Sequence, residues 1–360
     1  MKKLFNVSLL LLIHLSGISL TGTTYIKLKG KIGENLSITM DITKTQDAST
    51  KKQTISGSYY YDRIGLPIDI NGTLTDAGNI ELTESNSKGD VTGTFKGTLS
   101  ADNRMQGVWI NPKTKKETPF ALTEATENIA QFDYTEYSNE NCDKKKRNLK
   151  STRKDTLQWT DTLCSEVTIS MLAVKNLNPT ACIKINTLME KILLQAGMTE
   201  SPYKTMKDLL HHIDKPEDDY TSTESYGIEV VSNESNVLCL SISYYGYAEG
   251  AAHPNGYSTY FNLNPQTGDT IVLNDILIAG ANDSLIAKAK RKFIATNGSL
   301  EENDWFFGNE FKLSYNFAIT KGGLLFQHNT YEAGAYALGA PQFFIPNKEL
   351  EGVVKPQYLK

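Results

Sequence analysis

The chain has 360 residues, enough for two domains of ordinary size, and its 37 Lys and Arg against 41 Asp and Glu leave a formal net charge of −4. That balance excludes a large nucleic-acid footprint, which needs a basic face. Four cysteines occur without any Cys-x-x-Cys pair, which excludes the common zinc spacings.

At the N-terminus, Lys2 and Lys3 precede the apolar run Val7 to Ile13, and Ser16, Gly17, Ser19 and Gly22 follow it. This is the pattern of a secretory signal, expected over residues 1–22. The run is shorter than the roughly 20 apolar residues that cross a bilayer, and His14 interrupts it. No further candidate span follows, and no cysteine stands near the expected cleavage point to take a lipid. The expectation is an exported protein, periplasmic or secreted, without a transmembrane span in the mature chain.

Residues 25–125 show almost no helical periodicity. Short alternating stretches such as Ser37 to Ile42 and Leu66 to Ile70 are separated by Gly, Asn and Asp, which predicts an all-β domain. A weak repeat supports this: Ile55-Ser56-Gly57-Ser58-Tyr59 matches Val91-Thr92-Gly93-Thr94-Phe95, and Asn71-Gly72-Thr73-Leu74 matches Lys96-Gly97-Thr98-Leu99. Turn residues at Asp76 to Asn79 and at Asp102-Asn103 let neighbouring strands pair as a meander or small barrel. Tyr59, Tyr60, Tyr61, Phe95 and Trp109 read as core and edge aromatics more readily than as a sugar platform. Glu81 and Glu84 read as isolated carboxylates. Residues 126–160, with Lys144, Lys145, Lys146, Arg147, Lys150, Arg153 and Lys154, read as a solvated basic linker.

From 161 to 360 the pattern becomes mixed. Glu166 to Val174 reads as a strand, and Asn178-Pro179 as the cap and first turn of a helix carrying Cys182, Ile185, Met189, Ile192 and Ala196 on one face. A second helix is expected from Ser201 through Ile213, with His211-His212 at its end, where adjacent residues diverge too far to share a metal. Strands follow around Tyr226 to Val231 and Val237 to Tyr247. A helix over Ser284 to Thr296 then turns Leu285, Ile286, Ala289 and Phe293 inward, and two last strands cover Phe311 to Thr320 and Gly323 to His328. The fold class is α+β: an all-β meander or small barrel, then an antiparallel sheet packed with helices. Cys142, Cys164, Cys182 and Cys239 allow three pairings in an oxidising compartment. Cys142–Cys164 with Cys182–Cys239 is favoured, since the second would tie a helix to a strand and close a long loop, worth about 4 kcal/mol.

The segment Gly246-Tyr247-Ala248-Glu249-Gly250-Ala251-Ala252-His253-Pro254-Asn255, with Phe261 to Gly268 and Leu273 to Leu277, resembles the extracytoplasmic domain shared by RsiV-type anti-sigma factors and PdaC-type deacetylases. Tyr331-Glu332-Ala333-Gly334-Ala335-Tyr336-Ala337-Leu338-Gly339 resembles the same family's ending, so the resemblance covers about Leu163 to Val354. It implies an extracytoplasmic recognition surface for lysozyme, another envelope protein or cell-wall glycan. Signalling and deacetylation do not carry over, because the chain has neither a sigma-binding segment nor a deacetylase domain.

No nucleophile elbow, phosphate loop, His-Glu-x-x-His or cofactor motif is found, so no catalytic, metal or cofactor set is assigned. His253, close in sequence to Glu249, is the one candidate base; its setting, Ala252-His253-Pro254-Asn255-Gly256, reads as a tight turn. Tyrosine gives large contact area at small entropic cost, and among Tyr244, Tyr245, Tyr247, Tyr257, Tyr260, Tyr331 and Tyr336 about half can face one way. The expected partner surface is Tyr245, Tyr247, Glu249, His253, Tyr331 and Glu332. The function read from the sequence is therefore a non-catalytic envelope binding protein, with a cell-wall polysaccharide hydrolase or a structural envelope component as alternatives.

Overall fold

The computed structural model describes residues 22–47, 50–86, 89–127, 129–150, 156–195 and 220–359. The expected secretory signal, the helix expected from Ser201 and the His211-His212 pair lie outside the described residues. Eight strands form the N-terminal unit: β1 (Thr24–Ile32), β2 (Leu36–Gln46), β3 (Gln53–Tyr61), β4 (Ile68–Leu74), β5 (Asn79–Ser85), β6 (Val91–Leu99), β7 (Met105–Ile110) and β8 (Glu117–Glu124). Each pairs antiparallel with the next, and β1 pairs with β8, so the meander closes into a barrel. Alternation explains the closure: Ile26, Leu28 and Ile32 from β1 and Ile38, Met40 and Ile42 from β2 point inward and are buried.

The internal repeat has a structural meaning. Tyr59 of β3 and Phe95 of β6 are both fully buried, edge to face at 5.3 Å, and Phe95 meets Phe120 in the same way at 5.1 Å. The aromatics of this unit therefore serve mainly as core. Glu84 is not isolated. It points into the barrel and accepts from Tyr59 Oη at 2.7 Å, Thr92 Oγ1 at 2.7 Å and Trp109 Nε1 at 2.9 Å. A Cβ on Gly93 would sit 2.3 Å from Glu84 Oε2 and 2.4 Å from Trp109 Nε1, so only glycine leaves room for this pair.

Two sheets make up the rest. The first has the order β13 (Asn255–Leu263), β12 (Leu238–Ala248), β11 (Ser222–Asn233), β10 (Thr156–Lys175), β9 (Gln131–Lys150). Residues 131–150, expected within a solvated linker, are thus strand β9, paired along its full length with β10. The sheet is also mixed rather than antiparallel, because β10 and β11 run parallel. Parallel neighbours need a crossover, and α1 (Pro179–Gln195) lies within it. Asn178 caps α1, its Oδ1 accepting from the Ala181 N–H at 2.9 Å. Ile185, Met189 and Leu193 of α1 pack with Leu238, Leu240 and Ile242 of β12 in one buried cluster.

The second sheet holds β14 (Phe317–Thr320), β15 (Gly323–Gln327) and β16 (Gln342–Pro346). Three helices accompany it: α2 (Leu273–Ile276), α3 (Asn282–Asn297) and α4 (Asn347–Leu350). Of the four residues expected to face inward from α3, Leu285, Ala289 and Phe293 are buried and Ile286 is half-buried against the same core, and Gly298 closes the helix at φ 91°. Among the described residues no helix is long and apolar enough to cross a membrane.

Cys142 and Cys164 lie directly opposite each other in the β9–β10 ladder and are disulfide-bonded. The expected Cys182–Cys239 bond is absent, and both thiols are free. The sheet separates them. Cys182 packs on the side of α1 with Leu238 and Leu240, whereas Cys239, between those two on β12, points to the other face.

The barrel docks on the sheet through buried charge. Lys27 Nζ donates to Glu234 Oε1 at 2.8 Å and to the Asn233 carbonyl at 2.9 Å, and stands 3.4 Å from Asp41. Tyr60 Oη donates to Glu234 at 3.0 Å, and Tyr25 Oη donates to Asp41. The Asn233 side chain accepts from the Ala130 N–H and donates to its carbonyl, each at 2.9 Å. Burial opposes the Lys27 charge, but Asp41 and Glu234 outweigh it and push the amine up, while Lys27 holds Glu234 down against its own burial.

Candidate functional site

The β12–β13 hairpin ends at the pair Gly246–Asn255, and the loop between them carries Glu249 and His253. A second loop, after β15, carries Tyr331, Glu332 and Tyr336. Asn329 and Thr330 join the two: Asn329 Oδ1 accepts from the Ser258 N–H at 2.9 Å, and Thr330 Oγ1 donates to the Gly256 carbonyl at 3.3 Å. His253 then stacks on Tyr336 with ring centroids 3.5 Å apart and 15° between planes. Its Nε2 lies 3.1 Å from Tyr331 Oη and its Nδ1 2.9 Å from the Pro254 carbonyl. A carbonyl only accepts, so Nδ1 carries a proton, and in the neutral ring Nε2 then accepts from the phenol.

That bonding occupies both ring nitrogens and leaves His253 no free base position. Glu332 is not its partner, since Oε2 accepts from the Asn329 N–H at 2.8 Å within its own turn. Tyr331 sits at φ 71°, a left-handed conformation unusual for an aromatic residue, and is 52% exposed. The two loops fix it there. Tyr245 and Tyr247 are exposed on β12, and Tyr245 lies opposite Gly256 of β13. Glu249 is exposed in the hairpin loop, held by its N–H to the Thr221 carbonyl at 2.8 Å.

The expected surface thus divides. His253 and Tyr331 are brought into contact, Tyr245 and Tyr247 share one face of β12, and Glu332 is taken up by its turn. Tyr336 stands outside the expected set, though its ring makes the closest aromatic contact to His253; only its place in the tyrosine-rich ending points to it in the sequence. Tyr244 and Tyr257 face the other way, in a ladder with Tyr226 at 4.9 and 5.3 Å. Tyr226 and Tyr244 converge on Glu224, and burial pushes the Tyr244 phenol up to about 12. Tyr260 is drawn inward, donating to Gln327 Oε1 at 2.9 Å.

For a metal, the described residues gather one group of three ligand atoms, from Glu140, Cys142 and Cys164, within 4.8 Å of one another. Both sulfurs are spent in the disulfide, so the group offers one carboxylate.

No curated protein matches the chain. Solved structures that align with part of the chain include two DUF3298 family proteins. A DUF3298 family protein from Pseudomonas aeruginosa PAO1 is 17% identical, with a TM-score of 0.45 over 62% of this chain and 97% of its own. A member of the same family from Bacteroides fragilis NCTC 9343 is 18% identical, with a TM-score of 0.46 over 61% and 94%. Residues 273–348 match the family model described as "Protein of unknown function (DUF3298)", a span that includes Tyr331, Glu332 and Tyr336 and excludes His253. The C-terminal part of the chain therefore carries a DUF3298 domain.

Proposed function

We propose that the protein is a non-catalytic binding protein of the cell envelope, which engages a protein partner through the aromatic surface of Tyr245, Tyr247, His253, Tyr331 and Tyr336. One observation carries this reading: Tyr331 is half exposed yet held by the His253 hydrogen bond and the adjacent Tyr336 ring. A large aromatic side chain fixed before binding loses little entropy on binding, and such residues dominate interface energetics. The RsiV-type resemblance makes lysozyme the first partner to test. Its cationic surface suits the exposed Glu249 carboxylate, which would speed encounter while the aromatics hold the complex.

The test is a titration of the purified protein against hen-type lysozyme at two salt concentrations, with muramidase activity read in parallel. The expected result is salt-sensitive binding of micromolar affinity or tighter, weakened about tenfold or more by Tyr331→Ala, a loss typical of an aromatic anchor. Absence of binding, or equal binding by the variant, would remove lysozyme as the partner of this surface. The occupied nitrogens of His253 weigh against a hydrolase built on that residue, and release of product from muropeptides would reverse that judgement.

A further inference from the structure

The five-stranded sheet ends at β9, and among the described residues no strand pairs with its outer side. The barrel covers the beginning of β9, where Tyr25 meets Phe132 edge to face at 5.0 Å. Further along, Glu140, Cys142 and Lys144 are exposed. In an antiparallel ladder the closely spaced pairs turn their N–H and C=O groups away from each other, toward the neighbouring strand on either side. Cys142 and Cys164 form such a pair, with Cα atoms 4.1 Å apart, and the period of two gives Glu140 and Lys144 the same orientation. Their N–H groups accordingly donate to the side chains just before them, Glu140 to Asn139 Oδ1 at 3.0 Å and Lys144 to Asp143 Oδ1 at 2.8 Å. These bonds lie at the surface, so residues 140–144 offer a row of backbone groups to a further strand.

Lysine on an edge strand ordinarily guards against pairing, since a second strand of the same charge is repelled. Here the sign of the charge changes partway along the strand. Residues 131–141 hold Asp133, Glu136 and Glu140 and no cation, and Asp133 is paired with Lys175. Residues 142–150 hold Lys144, Lys145, Lys146, Arg147 and Lys150 against Asp143 alone. Such a strand repels a parallel copy of itself and attracts an antiparallel one, because charges directly opposite each other stabilise a pair when unlike and destabilise it when alike. The change of sign falls at Cys142, where the disulfide also ties β9 to β10. An edge fixed before association loses less freedom when it pairs.

We propose that β9 is the contact through which two copies of this chain associate, antiparallel about a twofold axis at Cys142. In that register Glu140 of each copy faces Lys144 of the other, Ser138 faces Lys146, and the two sheets run on into one. The contact is isologous, so it closes at two copies. It is separate from the Tyr331 surface and stands or falls independently of it.

The experiment is sedimentation equilibrium of the full chain between about 5 and 200 µM, where a monomer–dimer equilibrium of micromolar strength is expected. Glu140→Lys and Lys144→Glu each set like charges opposite one another at two points across the axis, and each should weaken the dimer about tenfold or more. Mixed together, these two variants again face unlike charges, so the mixture should associate about as well as the parent. Glu140→Pro removes one outward N–H without touching the β10 ladder, and should weaken the dimer while the melting temperature stays near the parent's. A chain that remains monomeric across this range, a dimer that none of the three substitutions weakens, or a mixture no more associated than its components would overturn the proposal.

Discussion

His328 is enclosed by rings. Phe293, Phe306 and Phe311 present edges or faces to it at 5.8, 5.4 and 6.4 Å, and Phe343 stacks at 6.5 Å. Its Nε2–H donates to the Lys312 carbonyl at 2.9 Å, and Nδ1 is buried without a partner. The imidazole is therefore neutral, and burial lowers its pKa, the Lys312 carbonyl and the charge of Glu332 offsetting only part of that. In the unfolded chain a histidine takes up its proton near pH 6.5, whereas here uptake waits for a lower pH. The unfolded state thus binds more protons in that window, and stability falls as pH drops below about 6.5. His328→Gln keeps an N–H donor and removes the titration, so its urea midpoint should fall less than the parent's between about pH 7 and pH 5. An equal fall in both proteins would exclude His328 as the cause. None of this is legible in the sequence, where Gln327-His328-Asn329 is a strand end and the four phenylalanines are scattered from 293 to 343.

Among the elements, the β9–β10 pair shows how partnership replaces propensity. Ser138-Asn139-Glu140-Asn141 and the lysines after it are poor strand formers, which is why the stretch reads as linker. Pairing with β10, which β11 holds in turn from Ser165 to Ser170, supplies what the local sequence lacks. The Cys142–Cys164 bond sits at that point and closes a loop with a sequence separation of 22. In the chain-entropy model it is worth about 3 kcal/mol. Reduction, or Cys142→Ser with Cys164→Ser, should lower the melting temperature accordingly and speed proteolysis between residues 143 and 163; unchanged proteolysis would mean the ladder holds without its crosslink. The barrel, by contrast, is readable strand by strand, because its alternation and turns are local. The parallel β10–β11 pairing is not, since no short window encodes which strand a crossover returns to. The candidate surface is half readable: the two loops announce themselves by composition, but the choice of Tyr336 over Glu332 as neighbour of His253 depends on how the loops cross.

At the scale of the whole molecule, Lys27 is where barrel and sheet are joined. Lys27→Met would leave Asp41 buried with no paired cation and strip Glu234 of its hydrogen-bonded one, at a cost of about 3–5 kcal/mol. Adding Asp41→Leu and Glu234→Leu should recover much of that loss, because replacing all the charges removes their desolvation penalty as well as their attraction. Denaturant unfolding of the three proteins checks both statements, and a triple variant no more stable than the single one would show that the charges are needed for more than their own balance.

The same joint sets an order of events in time. Each barrel strand finds its partner next in sequence, apart from the closing pair, while Lys27 meets Asn233 and Glu234 across separations of 206 and 207 residues. Contacts so distant form late, after the chain entropy of the intervening segments has been lost. A chain emerging from its N-terminus can thus complete the barrel while residue 233 is still unavailable, leaving Lys27 wet on its wall with Asp41 as its first companion. The final step is then the expulsion of water from an ammonium group, and the completed barrel serves as the template on which the later half is assembled.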